Sequence, residues 1–194
     1  MAHARRALPR RHLIGIDEGP FDKFSGGRDV VLVAVMMEGP DLVEAVAAQR
    51  FPVDGEGATQ FLSRWIGGLR CRPALQGVLL GGVTLAGLGV VDLPALSAAL
   101  SLPVLNVNRR RPGNDAVRKA LETAGLAHRF GAVERAPEPR EAAPGLWVGA
   151  AGLDPEDACA WVRAACAKSQ IPEPLRLAHL IAAALVSGES RGRP

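Results

Sequence analysis

Apolar and polar positions alternate along this chain in blocks that predict strands first and helices after them. Leu13, Ile14 and Ile16 form a short buried strand that ends in adjacent carboxylates, Asp17 and Glu18, and a Gly19-Pro20 break. Asp22 to Asp29 is polar and Gly-rich, a loop. The continuous apolar run Val30 to Met37 predicts a central strand. Past the turn Glu38-Gly39-Pro40-Asp41, Leu42 to Val53 predicts a third strand with an Ala-rich middle. Turns this short imply an antiparallel meander.

The period then changes. Phe61, Leu62, Trp65, Ile66 and Leu69 recur at helical spacing, so Ala58–Leu69 predicts an amphipathic helix. Leu75 to Leu80 predicts a strand, and Gly81 to Gly89 a loop that turns tightly or approaches something closely. Asp92 is placed to N-cap a helix over Leu93–Leu100, with Pro94 tolerated in its first turn. Pro103 to Val107 predicts a strand, Gly113-Asn114-Asp115 opens a helix through Ala124, and Ala127 to Val133 reads as a further strand. Glu134 to Gly145 reads as a loop and Leu146 to Ala150 as a last strand. Asp154-Pro155 starts a helix to about Lys168, Ile171-Pro172-Glu173-Pro174 a rigid connector, and Leu175–Val186 a buried final helix. The expected fold class is α/β, a mixed sheet flanked by helices. The expected organisation is a flexible basic arm over 1–11, one domain over 12–188 and a polar tail over 189–194.

Composition narrows the function classes only a little. The 194 residues are 48% hydrophobic and 4% aromatic with no Tyr, so the core is aliphatic. A net charge of +3 is too weak to imply a nucleic-acid partner by itself. Cys71, Cys159 and Cys166 lack metal-ligand spacing and fit a reduced compartment. No apolar run reaches membrane-spanning length, so a cytoplasmic placement is expected. The glycines at 81, 82, 87 and 89 are followed by no Lys-Ser or Lys-Thr, which excludes a P-loop.

Three stretches carry a resemblance: Ile14-Gly15-Ile16-Asp17-Glu18-Gly19-Pro20-Phe21, Gly82 through Asp92, and Ile171 through Ile181, together with the tail 188–193. They resemble an archaeal and bacterial family catalogued as a domain of unknown function. Its fold is similar to that of endonuclease V, a ribonuclease H-like nuclease that uses magnesium to cut DNA or RNA near deaminated bases. The resemblance implies a sheet of three antiparallel strands followed by parallel ones, a Mg²⁺ or Mn²⁺ cofactor and a DNA or RNA partner. It matches Asp17 to the metal-binding Asp of the first strand. The next metal-binding Asp of endonuclease V falls here on Gly81 or Gly82, so the loop is kept and the carboxylate is not. Asp92 lies about ten residues too late to replace it, and Asp54 and Glu56 are loop acids that could substitute.

The candidate residues follow. An acid ending a core strand is costly to bury without a partner. A metal ion or a proton-transfer role would explain Asp17 and Glu18; so would capping a wet loop. Asp17 with Glu18 or Asp22 would hold a hard cation, although neighbouring strand residues point to opposite faces unless Gly19 turns the chain. His179 would touch metal or scissile phosphate, or sit in the core as a carbonyl donor. Arg176 shares its helix face, and Glu173 can cap that helix or pair with Arg176. Arg109, Arg110 and Arg111 after a strand would hold phosphate, or form a solvated loop. Phe21 and Phe24 would stack on a base or pack in the core. Three functions are compatible: a metal-dependent nuclease, a nucleic-acid-binding module without hydrolysis, and an enzyme acting on a nucleotide or another small phosphorylated compound.

Overall fold

A computed structural model describes residues 10–22 and 29–190 of the chain. Residues 1–9 of the expected arm, Phe24, and Arg191 and Arg193 of the tail lie outside the described residues.

Nine strands and six helices are seen among them: β1 His12–Glu18, β2 Asp29–Glu38, β3 Leu42–Pro52, α1 Ala58–Gly67, β4 Gly77–Leu80, β5 Thr84–Leu85, β6 Gly89–Val90, α2 Leu93–Leu100, β7 Val104–Asn108, α3 Asn114–Thr123, α4 Phe130–Glu134, β8 Arg140–Ala143, β9 Leu146–Ala151, α5 Pro155–Ala164 and α6 Glu173–Ser187. Seven strands form one sheet in the order β3-β2-β1-β4-β7-β9-β8. β1, β2 and β3 are the antiparallel meander; β4 joins β1, and β7 joins β4, in parallel. The mixed sheet is therefore the one expected, with β9 and β8 added antiparallel at the far edge.

Alternation sorts the core onto two faces. Ile14 and Ile16 of β1, with Leu32, Ala34 and Met36 of β2, face α1 and α2. Val33, Val35 and Met37 face α6, where Ala178 and Ala182 are fully buried against them. Full burial of each large aliphatic side chain stabilises by roughly 1.5–3 kcal/mol, which makes α6 an integral part of the domain.

Two glycines make the α6 contact possible. A Cβ on Gly15 would lie 2.3–2.6 Å from backbone atoms of Pro174 and Leu175, and one on Gly19 2.8 Å from the carbonyl oxygen of Ala182. No side chain fits at either place, so both positions serve close approach. Gly19 is not a turn residue: its N–H continues the sheet by donating to the Val31 carbonyl at 2.9 Å. The expectation that Gly19 bends the chain is thereby corrected.

Four other local expectations are corrected. Ala127–Val133 is not a strand but a 3₁₀ turn, Ala127–Arg129, leading into α4; coiling there lets Arg129 reach inward. The expected loop 134–145 contains β8, which pairs with β9 around Pro144-Gly145, with Gly145 in the left-handed region at φ 74°. The helix after Asp154 stops at Ala164 instead of Lys168, and α6 starts at Glu173, inside the expected connector. Asp92 and Asp154 cap α2 and α5 as expected, accepting from the N–H groups of Ala95 and Glu156. Arg10 pairs with Glu38 and Asp41, and Arg11 lies 4.0 Å over the Trp161 ring, so both side chains rest on the domain. Among the described residues no helix is long and apolar enough to cross a membrane.

Candidate active site

Gly15, Asp17 and Gly19 lie on one face of β1. The glycines bring the backbone of α6 down on either side of Asp17, and the side chain of His179 meets it between them. His179 Nδ1 stands 3.1 Å from Asp17 Oδ2. The other carboxylate oxygen accepts the Glu18 N–H at 2.9 Å. Burial pushes the Asp17 carboxyl above its ordinary pKa; the Glu18 N–H and His179 work against that shift. The imidazole is 62% exposed, so the pair opens to solvent on the His179 side.

Two clefts meet at this pair. One, of about 440 Å³, runs past Gly81, Asn108, Arg109 and Arg176, with Ile171, Leu175 and Leu180 as an apolar wall. The other runs past Pro20, Phe21, Glu189 and Ser190. Phe21 also packs on the main core, as one of the two readings made of it expects. Glu189 and Ser190 follow the left-handed C-cap of α6 at Gly188, which returns the chain toward β1.

The expected site residues separate clearly. Asp17, His179, Arg176 and Arg109 come together in one cleft. Arg176 is held by Glu173, whose buried carboxylate accepts from its Nε and Nη2 at 2.8 and 2.6 Å. Arg110 is exposed and is not among the residues lining either cleft. Arg111 pairs with Glu138 at 3.0 Å and leans over Trp147. Asp22 is exposed and lines neither cleft. Glu18 turns to the opposite face, where it accepts the buried Ala86 N–H in the β5–β6 hairpin. Asp54 is occupied at that hairpin too, accepting the Leu88 N–H at 2.7 Å, and Glu56 is exposed. Asp92 caps α2 and pairs with Arg135.

Sequence reasoning missed Asn108. It ends β7 in the wall of the larger cleft, and its side-chain nitrogen is buried with no hydrogen-bond partner. A polar residue at the end of an apolar strand, directly before Arg109, was the available signal.

A hard divalent cation can be tested against these donors. A Cβ on Gly81 would lie 3.8 Å from Asp17 Oδ1, so a carboxylate there would converge on Asp17; glycine leaves that place open. Among the described residues no three His, Cys, Asp or Glu side chains group as metal ligands. Among the residues lining the larger cleft, Asp17 is the one carboxylate available to a single Mg²⁺ or Mn²⁺, whose other ligands would be water and phosphate. The set does not fit a two-metal cluster, which needs more carboxylates.

Known proteins resemble the chain along nearly its whole length. Residues 9–186 match the family model described as endonuclease dU. A UPF0215 protein of Deinococcus radiodurans is 44% identical over 191 residues, covering 97% of this chain and 96% of that one. Among solved structures, a protein of unknown function from Archaeoglobus fulgidus superposes with a TM-score of 0.83 at 28% identity, over 92% of this chain and all of that one. Endonuclease V of Ciona intestinalis, bound to an inosine-containing DNA, superposes with a TM-score of 0.56 at 17% identity, over 87% and 82% of the two chains. That last likeness establishes a shared ribonuclease H-like fold.

Proposed function

The chain belongs to the endonuclease dU family, and from that membership we propose that it is an endonuclease acting on DNA or RNA at a deaminated base, with deoxyuridine in DNA as the first substrate to try. The observation that carries the reading is the Asp17–His179 contact, set between two glycine seats in a cleft that also holds Arg109 and Arg176.

Each group has a role that its geometry supports. With Nδ1–H donating to Asp17, His179 keeps Nε2 as an acceptor, able to take the proton of a water that attacks phosphorus. Asp17 fixes the ring and stabilises it once protonated. Arg109 and Arg176 present guanidinium groups to the phosphodiester, and the Glu173 pair keeps Arg176 in place. The apolar wall and the unpartnered Asn108 amide offer a flat base a surface and one polar contact. A Mg²⁺ or Mn²⁺ ion beside Asp17 would supply charge stabilisation at the phosphate.

The test uses labelled oligonucleotides carrying deoxyuridine, inosine or only ordinary bases, incubated with Mg²⁺, Mn²⁺ or chelator. Cleavage at the modified base that is lost in Asp17→Ala supports the proposal. A second reading is favoured by glycine at position 81: a binding module that kept the fold without hydrolysis. Salt-sensitive binding of the same oligonucleotides with no cutting under any metal condition would establish that reading instead.

A further inference from the structure

Asp17 is poorly equipped to hold a cation by itself. Its Oδ1 already accepts the Glu18 N–H, and its Oδ2 stands 3.1 Å from His179 Nδ1. The neighbouring acids are committed elsewhere: Glu18 to the Ala86 N–H and Glu173 to Arg176. Glu189 lines the smaller cleft and not the larger one. Residues 1–9, 23–28 and 191–194 contain no Asp or Glu, so those segments have no carboxylate to add. A hard divalent cation takes about six oxygen ligands, and its affinity follows how many of them are charged.

The charge of the cleft works in the same direction. Of its two guanidinium groups, Arg176 is paired with Glu173, whereas no ion pair joins Arg109 to an acid among the described residues. A lone cation entering there meets a like charge. A phosphodiester meets an opposite one, and it brings oxygen atoms that a cation can use.

Gly81 leaves the space for both. Its φ is not positive, and an added Cβ would touch nothing but Asp17 Oδ1, at 3.8 Å. Neither backbone conformation nor packing calls for glycine here, in contrast to Gly15 and Gly19. What Gly81 provides is an open floor beside the carboxylate.

We propose that the cation site is completed by the substrate: Asp17 holds a divalent ion weakly in the free protein and firmly only when a nucleic-acid phosphate lies in the larger cleft. The proposal deepens the nuclease reading and rests on its view of the cleft as a phosphodiester site. Binding is then reciprocal, each ligand raising the affinity for the other by the same factor.

Mn²⁺ titrations followed by electron paramagnetic resonance, which measures free ion whether or not a strand is cut, test it on the full chain. Protein alone should bind Mn²⁺ with a Kd of about 10⁻³ M. A deoxyuridine oligonucleotide, corrected for the ions it binds alone, should lower that Kd about tenfold. Asp17→Asn should abolish the gain. Arg109→Gln should tighten Mn²⁺ on the free protein about threefold while shrinking the gain from oligonucleotide. Gly81→Asp should lower the Kd of the free protein about tenfold, and Gly81→Asn, of equal bulk, should not; circular dichroism confirms that each variant is folded. Mn²⁺ bound equally with and without a bound oligonucleotide overturns the proposal, and observed cleavage would then leave the nuclease reading standing. Coupling without cleavage does the reverse. An oligonucleotide that does not bind overturns both.

Discussion

Glu18 points to one face of the sheet and Asp17, one residue earlier, to the other. On the Glu18 side the carboxylate is absorbed into structure. It binds the Ala86 N–H, Asp54 binds the Leu88 N–H, and Arg129 spans the carbonyls of Asp54, Gly55 and Leu88. Both carboxylates and the guanidinium are bound to backbone groups there, and these contacts hold the β5–β6 hairpin against the sheet. On the Asp17 side the carboxylate is buried enough to have its pKa raised, yet its side-chain partner is an exposed imidazole and the space beside Gly81 is open. A satisfied acid braces a fold, whereas an incompletely satisfied one in a cleft is available for chemistry.

Substitutions can break this contrast or sharpen it. The largest expected effect is that of Asp17→Asn on cleavage of a deoxyuridine oligonucleotide, a loss on the order of 10³-fold with the folded structure retained. Equal loss from Glu18→Gln would erase the distinction between the two faces. Next, Gly15→Ala forces a methyl into the backbone of Pro174 and Leu175. Overpacking of this kind costs about 1–3 kcal/mol of stability, and a shift of about 1 Å in His179 lowers cleavage roughly 100-fold. Thermal melts and single-turnover rates together would separate those two consequences. Third, Glu18→Ala leaves the Ala86 N–H unpaired, a loss of about 1–3 kcal/mol by denaturant titration, with oligonucleotide binding at Arg109 and Arg176 unchanged. The smallest effect is on pH dependence. Because burial raises the Asp17 pKa, the folded state holds that proton more tightly than the unfolded chain. Stability from this group therefore falls as pH rises from the ordinary carboxylate value through the raised one, and is level above it. Asp17→Asn should remove that slope and give a slightly more stable protein near neutrality.

The sheet was legible in the chain because its strands are long apolar runs between strong turn signals. Asp17 was legible as an acid ending such a run, and Arg176 with His179 as neighbours on a helix face. Glu18 could join Asp17 only if Gly19 turned the chain; Gly19 stays in the sheet, so the period of two sends Glu18 away, and Asp22 is exposed. The role of Gly15 and Gly19 was hidden, since nothing local tells a glycine that makes a turn from one that admits a helix. Ala127–Val133 and β8 were missed for a related reason: short segments take their conformation from what they touch, here the carbonyls that Arg129 reaches and the β9 edge.

Asp17 and His179 are separated by most of the chain, and α6 is the last element described. A polypeptide still being synthesised carries Asp17 well before α6 and has no imidazole to set against it until that helix emerges. Any truncation before α6 yields a fragment with half of the pair and an uncovered face of β1 and β2. Assembly of the pair thus waits for α6, and a product interrupted before it holds the carboxylate without its imidazole.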